Sequence, residues 1–292
     1  MRDYKRKFGK FSYENTDAEW FQQLEEEIME AFELPTHSRW YRNHKRKILE
    51  KWQGVYSSFL EYSKEVSPDE AVTWYHTQCI DDPELFALNY IRPDNGLPMF
   101  LLEWQSEFMY AIEKGDYDRV YALQSRKVGK SAGAQALLPF RMAKYKNEHV
   151  RIFAPQEGQL YVLHDIYNTV MRSDFLYNEF VMPKNPDLKH RGKINTEEIV
   201  FGRNWSDLTG TGLAQNKTDG KEGRSKTGAK GSFFFIDEWG QILGQVMRTV
   251  IKPMGADAFS KKVFVGFGTP TKSVNPELDK AWEAIKEDPR YK

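Results

Sequence analysis

Apolar positions divide the chain into a helical beginning and a remainder in which strands and helices alternate. From Ala18 to Phe32, the residues Trp20, Phe21, Leu24, Ile28, Met29 and Phe32 recur at helical spacing, and Pro35 ends that element. A second helix is predicted from Arg39 to Tyr62, with Trp40, Ile48, Trp52, Tyr56 and Phe59 on a broad apolar face. Ser67-Pro68-Asp69-Glu70 reads as the start of a third, with proline at the first helical position. Beyond Asp81 the pattern changes. Pro93-Asp94-Asn95-Gly96 is a turn, and Phe100 to Gln105 leads into a helix through Phe108, Met109 and Ile112. Val120 to Leu123 is a short strand, and an Ala/Leu-rich helix follows Gly129-Lys130-Ser131. Val150 to Ala154 is the next strand, stopped by Pro155, and Gln156 to Met171 the next helix. Ile199-Val200-Phe201 and Ser206 to Thr209 form a hairpin around Gly202-Arg203-Asn204. Two further strands are Ser232 to Ile236, which runs into Asp237-Glu238, and Lys262 to Gly268, with a helix from about Pro276.

This order predicts an α/β fold with a central, mostly parallel sheet flanked by helices, plus a helical N-terminal region. The expected division is 1–80 for the helical region, 81–275 for the core and 276–292 for the start of a linker.

Composition narrows the function classes. The 292 residues include 42 basic and 42 acidic side chains, so no global basic footprint exists and any nucleic-acid contact must be local. Arg42, Lys45, Arg46 and Lys47 are one such cluster, readable as a solvated helix face or as a DNA contact. The single cysteine, Cys79, excludes an internal disulfide, and the six histidines show no ligand spacing for zinc. No apolar run reaches membrane length, and the N-terminus is charged, so a cytosolic chain is expected.

The candidate chemistry lies in Ser125-Arg126-Lys127-Val128-Gly129-Lys130-Ser131, between a strand and a helix. In a phosphate-binding loop, backbone N–H groups at the helix start face the phosphates. Lys130 reaches the β- and γ-phosphates, and Ser131 offers a hydroxyl to Mg²⁺. The usual first glycine is replaced by Gln124, and alone the motif equally fits a glycine turn before a surface helix. An apolar strand ending in Asp237-Glu238 supplies the complement. Asp237 can hold Mg²⁺ with Ser131, and Glu238 can act as general base on an attacking water. Gln105, just ahead of the loop strand, offers a donor and an acceptor to a nucleotide base, or is plain surface polarity. The span from Thr209 to Gly231 is rich in glycine and basic residues, and its Arg224 reads either as a finger supplied to a neighbouring subunit or as a DNA-phosphate contact.

The loop, the Phe235-Ile236-Asp237-Glu238 strand and Gly268-Thr269-Pro270 together resemble the ATPase of tailed-virus large terminases. In that family the first loop glycine is commonly missing and an arginine stands where Arg126 does. Trp104-Gln105 corresponds to its adenine motif, Ala154-Pro155 to its second strand, and Thr269 to its coupling motif. The resemblance spans roughly residues 85–291. It implies an ASCE-type P-loop ATPase that uses ATP and Mg²⁺ to move double-stranded DNA. The implied partners are a portal protein, a small terminase subunit and further copies in a ring, docked at the procapsid portal in the host cytoplasm. The family's large subunits continue into a nuclease domain, which the residues after Thr269 are expected to be too few to form. Helicase-like ATPases, and modules that only bind nucleotide, share parts of the pattern.

Overall fold

A computed structural model describes residues 11, 17–36, 38–115, 119–125, 127–155, 160–182, 192–212, 231–238 and 262–269. Four helices precede the sheet: α1 (Ala18–Glu33), α2 (Arg39–Tyr62), α3 (Pro68–Asp81) and α4 (Pro83–Tyr90). Side chains cap each of their starts. Asp17 accepts from the Trp20 N–H at 3.0 Å, and Ser38 from the Tyr41 N–H at 3.2 Å. Ser67 and Glu70 form a reciprocal capping box, and the Asp82 carboxylate accepts from the Glu84 and Leu85 N–H groups. Of the basic cluster on α2, Arg42, Arg46 and Lys47 are exposed, but Lys45 is only 3% exposed. Its ammonium donates to the Ala31 and Phe32 carbonyls at 2.6 Å each, so it closes the C-terminal end of α1.

The remaining elements are α5 (Glu103–Lys114), β1 (Arg119–Leu123), α6 (Lys130–Lys144), β2 (His149–Ala154), α7 (Tyr161–Arg172) and the short α8 (Asp174–Leu176). A π-helical turn at Tyr177–Val181 follows, then β3 (Lys193–Ile194), β4 (Glu198–Phe201), β5 (Ser206–Gly212), β6 (Phe233–Ile236) and β7 (Val263–Gly268). The strands form one seven-stranded sheet in the order β1-β7-β6-β2-β5-β4-β3. The pairs from β1 to β5 are parallel, and β4 and β3 add on antiparallel. The expected mostly parallel sheet and the β4–β5 hairpin are both present. β7 lies between β1, which feeds the loop, and β6, which carries the carboxylates. That inserted strand is the order of ASCE P-loop folds.

Every residue of β6 is buried, as a central strand covered on both faces requires. One hydrophobic cluster runs from Phe11 and the α1–α3 faces through α4 to Phe267 on β7, so the core is continuous across residue 80. No described helix is long and apolar enough to cross a membrane. The start of the expected 156–171 helix, most of the glycine-rich span and the helix from 276 lie outside the described residues.

Candidate active site

Parallel pairing sets the site. The β1–β7 register places Leu123 opposite Gly268, and the β6–β7 register places Ile236 opposite Gly266. The residues just past these strands therefore meet at one edge of the sheet, where α/β folds bind ligands. Beyond β1, the Gln124 N–H donates to the Gly268 carbonyl at 3.0 Å and prolongs the pairing. The chain then turns sharply, with Lys127 at φ 63° and Gly129 at φ 86°. Gly129 is the N-cap of α6 and supplies no capping side chain, which leaves the first N–H groups of that helix open to an anion. A Cβ at Gly129 would lie 3.0 Å from Gln105 Nε2 and 3.2 Å from Leu102 Cδ1.

Lys130, Glu238 and Thr269 form the centre. Lys130 Nζ lies 3.2 Å from Glu238 Oε1, within hydrogen-bond reach of Thr269 Oγ1, and 3.4 Å from the Gln124 carbonyl. Thr269 holds Glu238 from two sides. Its hydroxyl donates to Oε1 at 2.9 Å, and its backbone N–H to Oε2 at 3.2 Å. The Glu238 backbone sits at φ 45°, a left-handed conformation that costs about 1–2 kcal/mol for a residue with a Cβ. Such an outlier persists when its surroundings over-determine it, and here Thr269 and Lys130 do so. Asp237 precedes it, its N–H bonded to the Phe153 carbonyl at 2.8 Å. Burial, and then the neighbouring Glu238 charge, push the Asp237 carboxyl up to about 6. A carboxylate in that setting is one that a cation relieves.

Ser131 is exposed on the first turn of α6, and Ser125 and Lys127 are exposed in the loop. Among the described residues there is no group of three or more His, Cys, Asp or Glu able to hold a metal. A hydroxyl and a carboxylate as the protein's share fit Mg²⁺, which takes oxygen ligands and commonly fills its shell with phosphates and water. Arg126 and Arg224 lie outside the described residues.

Gln105 lies beside the loop and is one of the residues lining the cavity next to it. It is 2% exposed, its carboxamide oxygen accepts from the Leu102 N–H at 2.7 Å, and its Nε2 donates to the Gly129 carbonyl at 2.7 Å. Trp104 beside it donates its indole N–H to the Val128 carbonyl at 3.3 Å. A cavity of about 510 Å³ opens alongside, between Gly129, Ala132 and Gln135 on one side and Tyr41, Lys45 and Asn95 on the other.

No protein-family model matches the sequence, and no curated protein does. Solved structures do. The large terminase of bacteriophage HK97 superposes with a TM-score of 0.55 at 18% identity, over 73% of this chain and 42% of that one. The chain has the fold of a large terminase. It spans less than half the length of the HK97 protein. The large terminase ATPase domain of Thermus phage P74-26 matches at a TM-score of 0.42 and 18% identity, over 56% of this chain and 64% of that one. The large terminase of another thermophilic bacteriophage, in complex with ADP, matches at 0.40 and 9% identity, over 65% and 52%. These two likenesses are too distant to bear on the site. In the terminase fold seen here, the tips of β1, β6 and β7 carry the candidate residues. The Gln124 carbonyl, six residues from Lys130, was not foreseen from sequence, nor was the Trp104 indole as a donor to the loop, which acts across 24 residues of chain.

Proposed function

We propose that this chain is an ATPase that drives double-stranded DNA into a viral procapsid, the motor portion of a large terminase. The observation that carries the reading is the meeting of Lys130, Glu238 and Thr269 at one sheet edge, beside an uncapped helix N-terminus, in a chain with a terminase fold. In the proposal, the triphosphate lies along Lys127 to Ser131, with the loop N–H groups and Lys130 on its oxygens. Lys130 Nζ pairs with Glu238 Oε1 at 3.2 Å. Arrival of the phosphates draws the ammonium away, and the freed Glu238 carboxylate accepts a proton from the attacking water. Ser131 and Asp237 would hold Mg²⁺, which when bound neutralises phosphate charge. The nucleobase occupies the cavity beside Gly129, where Asn95 and Gln135 offer polar edges.

Thr269 links this chemistry to movement. Because its hydroxyl and N–H both grip Glu238, a shift of that carboxylate on hydrolysis pulls on the end of β7. Arg126 is proposed to act within its own subunit, and Arg224 to reach a neighbouring subunit or DNA. The fold further suggests a portal protein, a small terminase subunit and a ring of like subunits as partners. Phosphate release by the chain, with and without linear double-stranded DNA, tests the reading. Mg²⁺-dependent turnover that rises with protein concentration and with DNA is expected. Absence of turnover at concentrations that support assembly would overturn it. Separation of duplex strands during turnover would favour a helicase-like ATPase instead.

A further inference from the structure

The sequence from His37 to Leu49 holds no aspartate or glutamate, in a chain whose acids and bases are equal in number. The core fixes which of its cations face outward. Ile48, Leu49 and Trp52 of α2 are buried, and the Trp52 indole donates to the Tyr75 hydroxyl at 2.9 Å, so the helix cannot roll. Lys45 is turned inward with them, onto the end of α1. At about 100° per residue, Arg39, Arg42 and Arg46 lie within about 60° of one another on the outer face, with Asn43 and Lys47 beside them. All are exposed. Arg39 to Arg46 covers about 10.5 Å of helix axis.

Local structure does not account for these charges. The first turn of α2 holds no acid, and cations there oppose the helix dipole. The glutamates of α1, whose Phe21 packs on Tyr56 and Phe59 of α2, do not pair with them either. Among the described residues, none of Arg39, Arg42, Arg46 and Lys47 forms an ion pair, whereas Lys51, one turn on, is bound to Asp82 and Glu84. Trp40 stands in the same patch, 79% exposed, and its indole N–H and the Asn43 amide are neutral donors of the kind that hold phosphate oxygens.

We infer that this outer face of α2 is a binding surface for the phosphate backbone of double-stranded DNA. The inference deepens the proposed function and rests on it for the choice of polyanion. A duplex presents about six phosphate charges over 10.5 Å of its axis, and planar guanidinium groups suit phosphate oxygens better than ammonium groups do. Such contacts carry no base information, so the surface is expected to hold any sequence. The opposite side of the same turns, at Tyr41 and Lys45, lines the cavity given to the nucleobase.

The test compares the wild-type chain with the triple variant Arg39→Gln, Arg42→Gln, Arg46→Gln. A control removes two exposed cations elsewhere, Lys64→Gln and Lys146→Gln. Affinity is measured without nucleotide for two unrelated duplexes of about 30 base pairs and for polyglutamate, between about 50 and 200 mM salt, together with Tm. The triple variant is expected to lower the salt slope by about 2.7, at about 0.9 for each lost phosphate contact. Affinity for both duplexes should fall at least about tenfold near 0.1 M salt, with the control close to wild type. A triple variant with the wild-type slope overturns the inference, and so does an equal loss in the control, which would reflect net charge alone. Loss of polyglutamate binding with duplex binding intact would make the face a dock for an acidic protein and overturn it equally. If the triple variant fails to fold, Arg42→Gln alone should lower the slope by about 0.9. A wild-type chain that hydrolyses ATP but binds neither duplex would refute the DNA-moving reading together with this face. Duplex binding without ATP turnover would refute the ATPase alone.

Discussion

Replacing Thr269 by valine removes one hydroxyl and little else. That oxygen donates to Glu238 Oε1 at 2.9 Å and lies within reach of Lys130 Nζ, while the backbone N–H to Oε2 is untouched. A hydrogen bond to a charged group contributes about 1.5–3 kcal/mol. The Glu238 side chain is 28% exposed, so solvent screening favours the lower end. A loss of about 1.5 kcal/mol in aligning the general base corresponds to roughly a tenfold fall in kcat. ATP affinity should change by no more than about threefold, because the hydroxyl bonds Glu238, and Lys130 loses a competing partner. The assay pairs steady-state phosphate release at saturating ATP with a direct nucleotide titration. A kcat within about twofold of wild type, or an affinity loss above about tenfold at unchanged kcat, would refute the assignment of Thr269 to the base rather than to binding.

Other substitutions probe the supports of the site. Gly129→Ala forces a Cβ into a left-handed residue and against Gln105 and Leu102, so it should destabilise the chain by about 1–2 kcal/mol and weaken ATP, read by thermal melting and titration. Lys45→Met removes the cation from the Ala31 and Phe32 carbonyls. Part of that loss is offset because burial already holds its ammonium below the usual lysine range, and a net loss of about 2 kcal/mol is expected in denaturant unfolding. Glu113 on α5 bonds Arg141 at 2.8 Å and Lys144 at 2.9 Å on the loop helix. Burial pushes its carboxyl up, but the Arg141 and Lys144 charges outweigh that and hold it below the ordinary glutamate range. A lowered folded-state value means stabilisation that is complete above the unfolded value and lost as pH falls. Glu113→Gln should therefore cost about 3 kcal/mol near pH 7, with the gap to wild type closing as pH falls below about 4, measured by melting across that range.

The loop strand, the loop helix and the carboxylate strand were legible because each joins a short apolar run to polar residues at its end, a pattern local to a few residues. The helix start at Ser67 was legible for the same reason, since caps act within one turn. α4 was not foreseen. Every residue from Pro83 to Tyr90 is buried, so the segment has no polar face and no helical period to read. The insertion of β7 between β1 and β6 cannot be read from the hydrophobic pattern, because a strand far along the chain can enter a parallel sheet at any position its crossover allows; only the resemblance to an ASCE-type fold implied it. Lys45 looked like part of a basic surface. The α1 carbonyls that bury it come from another helix, and charge spacing along α2 cannot reveal them. Gln105 was placed near the loop correctly, but its partners depend on how α5 lies against Val128 and Gly129 in space.

The central claim is that Glu238 serves as the base of an ATP-hydrolysing site in which Lys130 holds the phosphates. Glu238→Gln keeps one oxygen to accept from either the Thr269 N–H or its hydroxyl, not both, and cannot take up the proton from water. The decisive measurement is ATP affinity and phosphate release on one preparation of this variant, at concentrations where the wild type turns over. ATP bound within a few-fold of wild type, with release reduced by about 10²-fold or more, is the predicted result. Release at the wild-type rate would contradict it.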